Sequence, residues 1–491
     1  MLLFVAVPDF AQQPNILLVI ADDLGLDPVP NYMPGPTKAT MPNLESLMAQ
    51  GLTFDNVWVN PLCAPTRATI ISGKYGVTTG VLNVEEQSTL SLSETTLFEY
   101  LQQQNSGYAM SLIGKWHLGG QMSPLTDPND QGVPHYTGLL AGGVQSYFNW
   151  TQTTEGAQVT NTSYITRVLT DSALTWMDRQ TQPWFCWLAY TAPHSPLHRP
   201  PLSMHNQGPL PTDPDSISAN PQPYFLAMVE SVDHELGRIL TTLPADVVAN
   251  TVILFIGDNG TEEPVLQASY PSGHGKGSLY EGGVRVPLVI AGPGVTRQNE
   301  REDALVNGTD LFATIAEITG LSLPEYEQSK SLVPVFTQSN VEHRSCLRTE
   351  VSGPPSGGIA FRGVRYKVIT NSDSTQEFYD LQEDPYELND LLAGSLTAAE
   401  EQALSDLLTG CDIASGVPSP TVTRLGLFPV PTSDVLHIQD AGSKACDIFS
   451  MDGRWVGARS IRNGCIDVSA LASGGYSIVT EHGRGLFIKV D

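Results

Sequence analysis

Three continuous apolar runs of strand length constrain the fold of this chain more than any other feature. They lie at residues 15–20, 184–190 and 251–256, and none of them alternates regularly with polar residues. Strands with this composition are buried on both faces, as in a parallel sheet covered by helices. The sequence therefore predicts an α/β domain with a large mixed, mostly parallel sheet flanked by helices.

Segments with helical signals separate these runs. Residues 161–180 have an amphipathic pattern, and residues 221–243 are also predicted to be helical. Ser91 and Glu94 have the spacing of a capping box, which predicts a helix that continues to about residue 104. The order of strands and helices agrees with the α/β prediction.

Acidic and amide side chains follow two of the apolar runs. Asp22 and Asp23 come directly after the first run, and Asp258 and Asn259 come shortly after the run at 251–256. Adjacent carboxylates repel each other unless a cation lies between them, and oxygen ligands suit Ca²⁺ or Mg²⁺. Because parallel strands end at the same sheet edge, the four side chains are predicted to meet there. An Asp-Asp pair alone is also compatible with a solvated turn.

Cys63, Pro65 and Arg67 form a Cys-x-Pro-x-Arg pattern. Pro61 and Pro65 fix their φ angles, and the Ala-Thr-Ile-Ile run that follows Arg67 can continue as a short helix. The cysteine is predicted to lie in the turn before this helix, where backbone N–H groups favour an anion. The alternative interpretation is a buried structural thiol beside a proline turn.

Three further patterns contain candidate site residues. Lys115 and His117 lie in Gly-Lys-Trp-His-Leu-Gly, and His194 lies between two prolines after the run at 184–190. Lys276 lies in a loop rich in glycine and serine, five residues before Glu-Gly-Gly. The Lys-x-His pattern and the histidine between two prolines are each, alone, also compatible with an exposed surface loop.

Together these patterns resemble the signatures of the formylglycine-dependent (type I) sulfatases, a family of the alkaline phosphatase superfamily. The resemblance implies that a formylglycine-generating enzyme oxidises Cys63 to an aldehyde after translation. It also implies one divalent cation, usually Ca²⁺, that contacts the sulfate and residue 63. The implied ligands are Asp22, Asp23, Asp258, Asn259 and the modified Cys63.

The resemblance also implies a role for each remaining residue. Lys115 and Lys276 would contact the sulfate, and Arg67 would add positive charge. One hydroxyl of the hydrated aldehyde would attack sulfur, activated by the metal and Asp258. His194 or Lys276 would protonate the departing alcohol, and His117 would act as the base that releases the sulfate.

The net charge of the chain limits its partners. A formal charge of −27, from 52 acidic and 25 basic residues, argues against nucleic acid or an anionic membrane surface. No run approaches the roughly 18 apolar residues of a membrane-spanning helix. Since a sulfate ester is an anion, its binding requires a locally positive pocket, which we expect Arg67, Lys115, Lys276 and the metal to form.

The cysteines contain no CxxC pair, so a zinc or redox site is not expected. If Cys63 is converted, five of the six cysteines remain, and at least one is unpaired within the chain. Cys446 and Cys465 lie in the same segment and could form a disulfide. Cys186 lies in an apolar run and is expected to be an inert core thiol.

Five segments are predicted along the chain. They are a truncated signal peptide at residues 1–13, a catalytic domain at 14–340, an antiparallel-sheet subdomain at 341–414, a linker at 415–421 and an all-β, sandwich-like module at 422–491. The last module resembles the C-terminal sorting domains of bacterial type IX secretion; a carbohydrate-binding sandwich is the alternative. The resemblance implies export through the periplasm by a secretion machinery, to the cell surface or the medium.

The sequence therefore predicts a sulfatase acting on sulfate monoesters, expected to be those of sulfated polysaccharides or oligosaccharides. One alternative is a phosphate or phosphonate monoester hydrolase of the same superfamily. Phosphatases with two metals need a second set of carboxylate and histidine ligands, and the sequence patterns indicate one set only. Another alternative is a non-catalytic, calcium-dependent glycan-binding protein, in which Cys63 would remain a thiol.

Overall fold

In the computed structural model the chain divides into two compact units, Met1–Ser415 and Gly416–Asp491. The structure describes residues 13–33, 37–85, 88–120, 123–353 and 357–411 of the first unit. In the second unit it describes residues 423–424, 427–428, 435–438, 445–450, 455–461, 465–472, 474–480 and 483–489. The predicted signal peptide, up to residue 12, and the predicted linker lie outside the described residues. The predicted segment boundaries stay predictions.

A ten-stranded sheet forms the centre of the first unit. Its strands are β1 (Asn15–Ala21), β2 (Gly51–Trp58), β3 (Ala109–Lys115), β4 (Tyr136–Leu139), β5 (Trp150–Thr154), β6 (Ala157–Asn161), β7 (Trp184–Ala189), β8 (Thr251–Gly257), β9 (Leu288–Ala291) and β10 (Glu300–Asn307). Their spatial order is β10-β2-β9-β8-β1-β7-β3-β4-β5-β6.

Parallel pairing is continuous from β8 through β1, β7 and β3 to β4, and β10 is parallel to β2. Strand β9 is antiparallel to both of its neighbours, as is β5. The prediction of a mixed, mostly parallel sheet is therefore confirmed. The three apolar runs form β1, β7 and β8 at its centre.

Helices cover both faces of this sheet. The helices of the first unit are α1 (Pro42–Gln50), α2 (Cys63–Ser72), α3 (Gly76–Thr79), α4 (Leu97–Gln103), α5 (Asp127–Asp130), α6 (Ile165–Met177), α7 (Pro214–Ala219), α8 (Gln222–Thr242), α9 (Ala245–Ala249), α10 (Glu281–Val284), α11 (Asp310–Ile318) and α12 (Ala398–Gly410). Helices α2, α4 and α11 contribute to the core on one face, and α1, α6 and α8 to the core on the other.

Strand β1 shows why its sequence is continuously apolar. Ile16, Leu18 and Ile20 point into one core, whereas Leu17 and Val19 point into the other. Each fully buried aliphatic side chain contributes roughly 1.5–3 kcal/mol, so both faces select apolar residues. A polar residue on either face would lose this contribution.

Two local predictions were wrong. The capping box that opens α4 is formed by Thr96 and Glu99, not by Ser91 and Glu94. Cys63 is the first residue of α2 and does not lie in the turn before it. Proline is tolerated at residue 65 because the first turn of a helix has free N–H groups, so a missing donor breaks no bond there.

The C-terminal part of the first unit contains two small antiparallel sheets. One is formed by β11 (Glu325–Tyr326) and β12 (Ser329–Lys330). The other contains β13 (Leu347–Val351), β14 (Gly358–Arg362), β15 (Tyr366–Asn371) and β16 (Gln376–Asp380) in that order. Leu407 of α12 packs on Phe361, Val368 and Phe378. A disulfide joins Cys346 to Cys411.

The described strands of the second unit form two further sheets. One contains β17 (Thr423–Arg424), β20 (Ala445–Ser450), β21 (Trp455–Ser460), β23 (Gly474–Thr480) and β24 (Gly483–Lys489); the other contains β18 (Leu427–Phe428), β19 (Val435–Ile438) and β22 (Cys465–Asp467). Cys446 Sγ lies 3.6 Å from the carbonyl oxygen of Arg459, and Cys465 Sγ lies 3.1 Å from His437 Nδ1. Cys346–Cys411 is therefore the disulfide of the described residues.

Within the described part of the chain, no helix combines the length and the apolarity that a membrane crossing requires.

A buried network of charged groups joins α10 to the sheet of β13–β16. Glu281 accepts from Trp58 Nε1 at 2.9 Å and from Arg362 Nη1 at 3.0 Å. Lys367 Nζ lies 2.7 Å from Glu387 and 3.4 Å from Glu281, and Glu387 accepts from the backbone amide of Glu281 at 2.6 Å. All five side chains are buried. Their mutual pairing offsets the desolvation of the charges.

We expect Lys367→Met to destabilise the protein by about 3–5 kcal/mol, because Glu387 would lose its ammonium partner inside the protein. Arg365→Met is the matched control, since Arg365 pairs with Asp380 from a side chain that is 46% exposed. Exposed pairs contribute little, so the control should lose much less stability. Urea unfolding measures both changes, and equal losses would contradict a stabilising role of the network.

Candidate active site

The candidate site lies at the carboxyl-terminal ends of β1 and β8. The strands are parallel, with Ala21 opposite Gly257. Asp22 and Asp23 follow β1, Asp258 follows β8, and all three side chains are fully buried. The amide of Asp23 donates to Asp258 Oδ1 at 2.9 Å. The sheet thus brings the acidic side chains to one edge, as the sequence predicts.

These carboxylates have the geometry of a cation site. One oxygen each from Asp22, Asp23 and Asp258 lies within 4.8 Å of the others. Asp22 Oδ1 and Asn259 Oδ1 are buried and accept no hydrogen bond from the described residues. Buried polar atoms without partners are costly, and such oxygens are the ligands that Ca²⁺ and Mg²⁺ prefer. The four residues therefore fit a hard divalent cation.

The charge state of Asp22 agrees with this fit. Burial raises the pKa of Asp22 well above its ordinary value, the Lys115 ammonium acts in the opposite direction, and the Asp258 and Asp23 carboxylates raise it further. Burial therefore disfavours the charged form of Asp22 even though Lys115 pairs with it. A divalent cation among the three carboxylates would favour its ionised form.

Helix α2 presents Cys63 and Arg67 to these carboxylates. The two residues are four positions apart and therefore share one face of the helix. Arg67 donates from Nε and Nη2 to Asp258 Oδ2 at 3.1 and 2.7 Å, and from Nη1 to the Lys115 carbonyl at 2.9 Å. Cys63 is 2% exposed, and its Sγ lies 3.2 Å from His117 Nδ1. The helix therefore fixes residue 63 between the carboxylates and an imidazole.

Strand β3 supplies Lys115, and the loop after it supplies His117. Lys115 Nζ donates to Asp22 Oδ2 at 2.6 Å. A Cβ at Gly142 would lie 2.3 Å from His117 Nε2, so a glycine is needed where the β4–β5 loop crosses the imidazole. Burial and the positive charges of Lys115 and Arg67 lower the pKa of His117 well below its ordinary value. His117 is therefore a neutral imidazole that can accept a proton beside residue 63.

His194 and Lys276 lie on the Asp23 side of the site. Lys276 Nζ donates to Asp23 Oδ2 at 2.6 Å, and His194 Nε2 lies 3.8 Å from the same oxygen. Burial and the Lys115 charge lower the pKa of His194 to about 4, although Asp23 opposes this shift. The structure thus brings together all the site residues that the sequence predicts, from five separate segments.

The three cations of the site are balanced by carboxylates. The shortest contact of each cation is with a different carboxylate, and these pairs are Arg67–Asp258, Lys115–Asp22 and Lys276–Asp23. The chain's own cations therefore create no excess positive charge, because the carboxylates neutralise them, and the positive pocket expected from these cations together with the metal stays a prediction. Excess positive charge in the site requires the bound cation.

Glu262 also lies at this site, although no sequence pattern predicted it. Asp23, His194 and Glu262 each offer a ligand atom within 4.8 Å of the others, so the described residues contain a second group of carboxylate and histidine donors. The expectation of only one such set was therefore wrong. The sequence signal that could have identified Glu262 is its position in the loop after β8, at the same sheet edge as Asp258. However, the Lys276 ammonium lies 2.6 Å from Asp23 and 3.5 Å from Glu262, where it would repel a metal ion.

Trp116, next to His117, is buried in the wall of the site. Trp116 is 1% exposed, and its indole N–H donates to Asp127 at 2.6 Å. A cavity of about 310 Å³ adjoins His117, and its charged lining residues within the described chain are the acids Glu85 and Asp127. Trp116 therefore stabilises the wall of the site and is not an exposed platform for a sugar.

Comparison with known proteins gives three family matches. The sulfatase family matches residues 14–321, the C-terminal domain of N-sulphoglucosamine sulphohydrolase matches residues 273–412, and the secretion system C-terminal sorting domain matches residues 426–489. Human arylsulfatase A is 28% identical over 468 residues, covering 81% of this chain and 87% of that protein. Mouse arylsulfatase J is 25% identical over 67% of this chain, and the match spans only 59% of that protein.

Two solved structures have the same fold. Ps i-CgsB superposes with a TM-score of 0.70 at 25% identity, covering 82% of this chain and 93% of its own. The phosphonate monoester hydrolase of Agrobacterium radiobacter superposes with a TM-score of 0.62 at 20% identity, over 81% of this chain and 95% of its own. The second likeness shows the fold alone. The sulfatase match, which covers more than half of the chain, identifies the family: this chain belongs to the sulfatase family of sulfuric ester hydrolases.

Proposed function

We propose that this chain hydrolyses sulfate monoesters with formylglycine derived from Cys63 and one divalent cation, most simply Ca²⁺. The observation that supports this most is the convergence around Cys63 of three cations and three carboxylates, with Asp22 Oδ1 and Asn259 Oδ1 accepting no hydrogen bond from the described residues. An inert structural thiol would need none of these groups. A sulfate ester needs positive charge beside its oxygens and a nucleophile in line with its sulfur, and the carboxylates would hold the divalent cation that adds to this charge.

The metal ligands, residue 63 and Arg67 would each have a separate role in the reaction. Asp22, Asp23, Asp258 and Asn259 would hold the cation, which would supply positive charge to the sulfate oxygens and to residue 63. The hydrated aldehyde would supply one hydroxyl to attack sulfur and a second through which the sulfate is released. Arg67 orients Asp258 beside this nucleophile through two hydrogen bonds.

Proton transfer would involve the two sides of the site separately. His117, 3.2 Å from the side chain of residue 63, would accept the proton of the second hydroxyl. His194 and Lys276 lie on the opposite, Asp23 side, where either could protonate the departing alcohol. Lys115 and Lys276 would exchange part of their carboxylate contacts for sulfate oxygens once the cation neutralises the acids.

The first prediction concerns residue 63. Mass spectrometry of the peptide around Cys63, from protein made in its native source, should find the aldehyde in place of the thiol. Cys63→Ala should lower kcat/KM by on the order of 10³-fold or more, because a lost nucleophile leaves only binding and electrostatic effects. A native protein with a quantitative thiol would instead favour the calcium-dependent glycan-binding alternative.

The second prediction concerns the cation. After removal of divalent metal with a chelator, added Ca²⁺ should raise the Tm of the protein, with about 2.7 kcal/mol of stabilisation at 100 times the Kd. Asp22→Asn should weaken this shift because it removes one ligand charge.

Asp246→Asn is the matched control, because Asp246 is exposed and lies in α9, before β8 and away from the site. Its calcium response should equal that of the wild type. A calcium response that Asp22→Asn leaves unchanged would contradict the proposed ligand set. The same titration with Mg²⁺ ranks the two ions.

The third prediction concerns the ester. Sulfate and phosphate monoesters of the same phenol, assayed side by side, should give faster sulfate hydrolysis. The second donor group, Asp23 with His194 and Glu262, would favour a two-metal phosphatase, but Lys276 lies between its members. Faster phosphate cleavage would overturn the choice of a sulfatase.

We also infer export and a glycan substrate. The sorting-domain match supports export by type IX secretion machinery. Similarity to human N-acetylgalactosamine-6-sulfatase, 27% identical over 68% of this chain and 67% of that protein, supports a sulfated polysaccharide or oligosaccharide. The formylglycine-generating enzyme would be a partner during maturation. In the assay above, sulfated oligosaccharides are included beside the phenyl esters, and turnover of aryl sulfates alone would count against a glycan substrate.

A further inference from the structure

Glu262 contacts Lys276 and Ser195, the residue that follows His194, on the leaving-group side of the site. Its Oε1 accepts from Ser195 Oγ at 3.1 Å and lies 3.5 Å from Lys276 Nζ. Its side chain is only 18% exposed, so these contacts are shielded from bulk water. Glu262 is therefore a partly buried carboxylate beside the groups proposed to protonate the alcohol.

The contact between Glu262 and Ser195 also constrains His194, because Ser195 and His194 are adjacent in the chain. Ser195 follows His194 directly, and the His194 Nδ1 atom lies 2.6 Å from the Ser195 carbonyl oxygen. The Tyr147 hydroxyl donates to the His194 carbonyl at 2.6 Å from the other side. The carbonyl groups of His194 and Ser195 are thus both hydrogen-bonded. Glu262 links this turn at residues 194–195 to Lys276, because its carboxylate contacts both Ser195 and Lys276.

Lys276 needs a second carboxylate partner when a cation binds to Asp23. Its shortest contact is with Asp23, yet the oxygens of Asp23 also belong to the cation site. A cation on Asp23 would compete with the ammonium for the same negative charge. Glu262 is the other carboxylate within 4 Å of Lys276 among the described residues, so it can retain the ammonium when Asp23 binds the metal.

We propose that Glu262 is a positioning residue that holds Lys276 and the His194 turn at a fixed separation for proton transfer to the leaving alcohol. This inference rests on the proposed sulfatase function and adds to it. Glu262 itself does not contact the reacting atoms. Its removal should therefore impair protonation of the leaving group more than it impairs sulfate binding.

The dependence of the rate on the leaving group tests this role. A good leaving group such as 4-nitrophenol departs with little protonation, whereas an alcohol or unsubstituted phenol needs a general acid. We expect Glu262→Gln to lower kcat/KM for phenyl sulfate on the order of tenfold more than for 4-nitrophenyl sulfate. Because both substrates are assayed on one preparation, the ratio does not depend on the folded fraction.

Glu263→Gln is the matched control. The Glu263 carboxylate accepts from the backbone amides of Gly273 and Gly275, so it supports the Lys276 loop without contacting Lys276. Its loss should lower both rates by the same factor. Glu262→Asp retains the charge and should restore part of the leaving-group discrimination.

The outcomes separate the two proposals. Equal losses on both substrates in Glu262→Gln would overturn the positioning role and leave the sulfatase proposal intact. A native, metal-loaded wild type inactive on every sulfate ester would overturn both. A leaving-group effect in Glu263→Gln as large as that in Glu262→Gln would assign the effect to the loop and also overturn the specific role of Glu262.

Discussion

The pairing of two buried cations, Arg67 and Lys115, and one partly buried cation, Lys276, with three buried carboxylates is the interaction on which the rest of this site depends. Moving a charge into a protein interior costs several kcal/mol, and only a close partner offsets that cost. Arg67, Lys115 and Lys276 each find one, at distances of 2.7, 2.6 and 2.6 Å. The parallel pairing of β1 with β8 makes this possible, because it places the acids of both strands at one edge.

This pairing also explains how an acidic protein can bind an anion. The chain has a formal charge of −27, and its site is close to neutral when the paired groups are considered alone. A divalent cation would shift the balance to positive only where it binds, and its field would be screened beyond about 10 Å at 0.1 M salt. Attraction of the sulfate would therefore depend on short contacts inside the site and hardly on steering from a distance.

The sequence predicted the backbone better than the contacts. The apolar runs became β1, β7 and β8 because burial on both faces leaves a continuous signature, and the four proposed metal ligands followed from the strand ends. The helix through Cys63 was misplaced because a proline in the first turn looks like a helix breaker. Trp116 is buried and donates its indole N–H to Asp127, a contact that its local sequence does not indicate.

The sequence by itself determined the family signatures, the order of strands and helices, and the types of residue available for the chemistry. Only the tertiary structure decided which charges pair, why the protein groups alone provide no excess positive charge, and that Glu262 connects Lys276 to the His194 turn. The physical reason is distance along the chain. Backbone conformation responds to neighbouring residues, whereas Lys276 and Asp23 are separated by 253 positions and meet only when the sheet is complete.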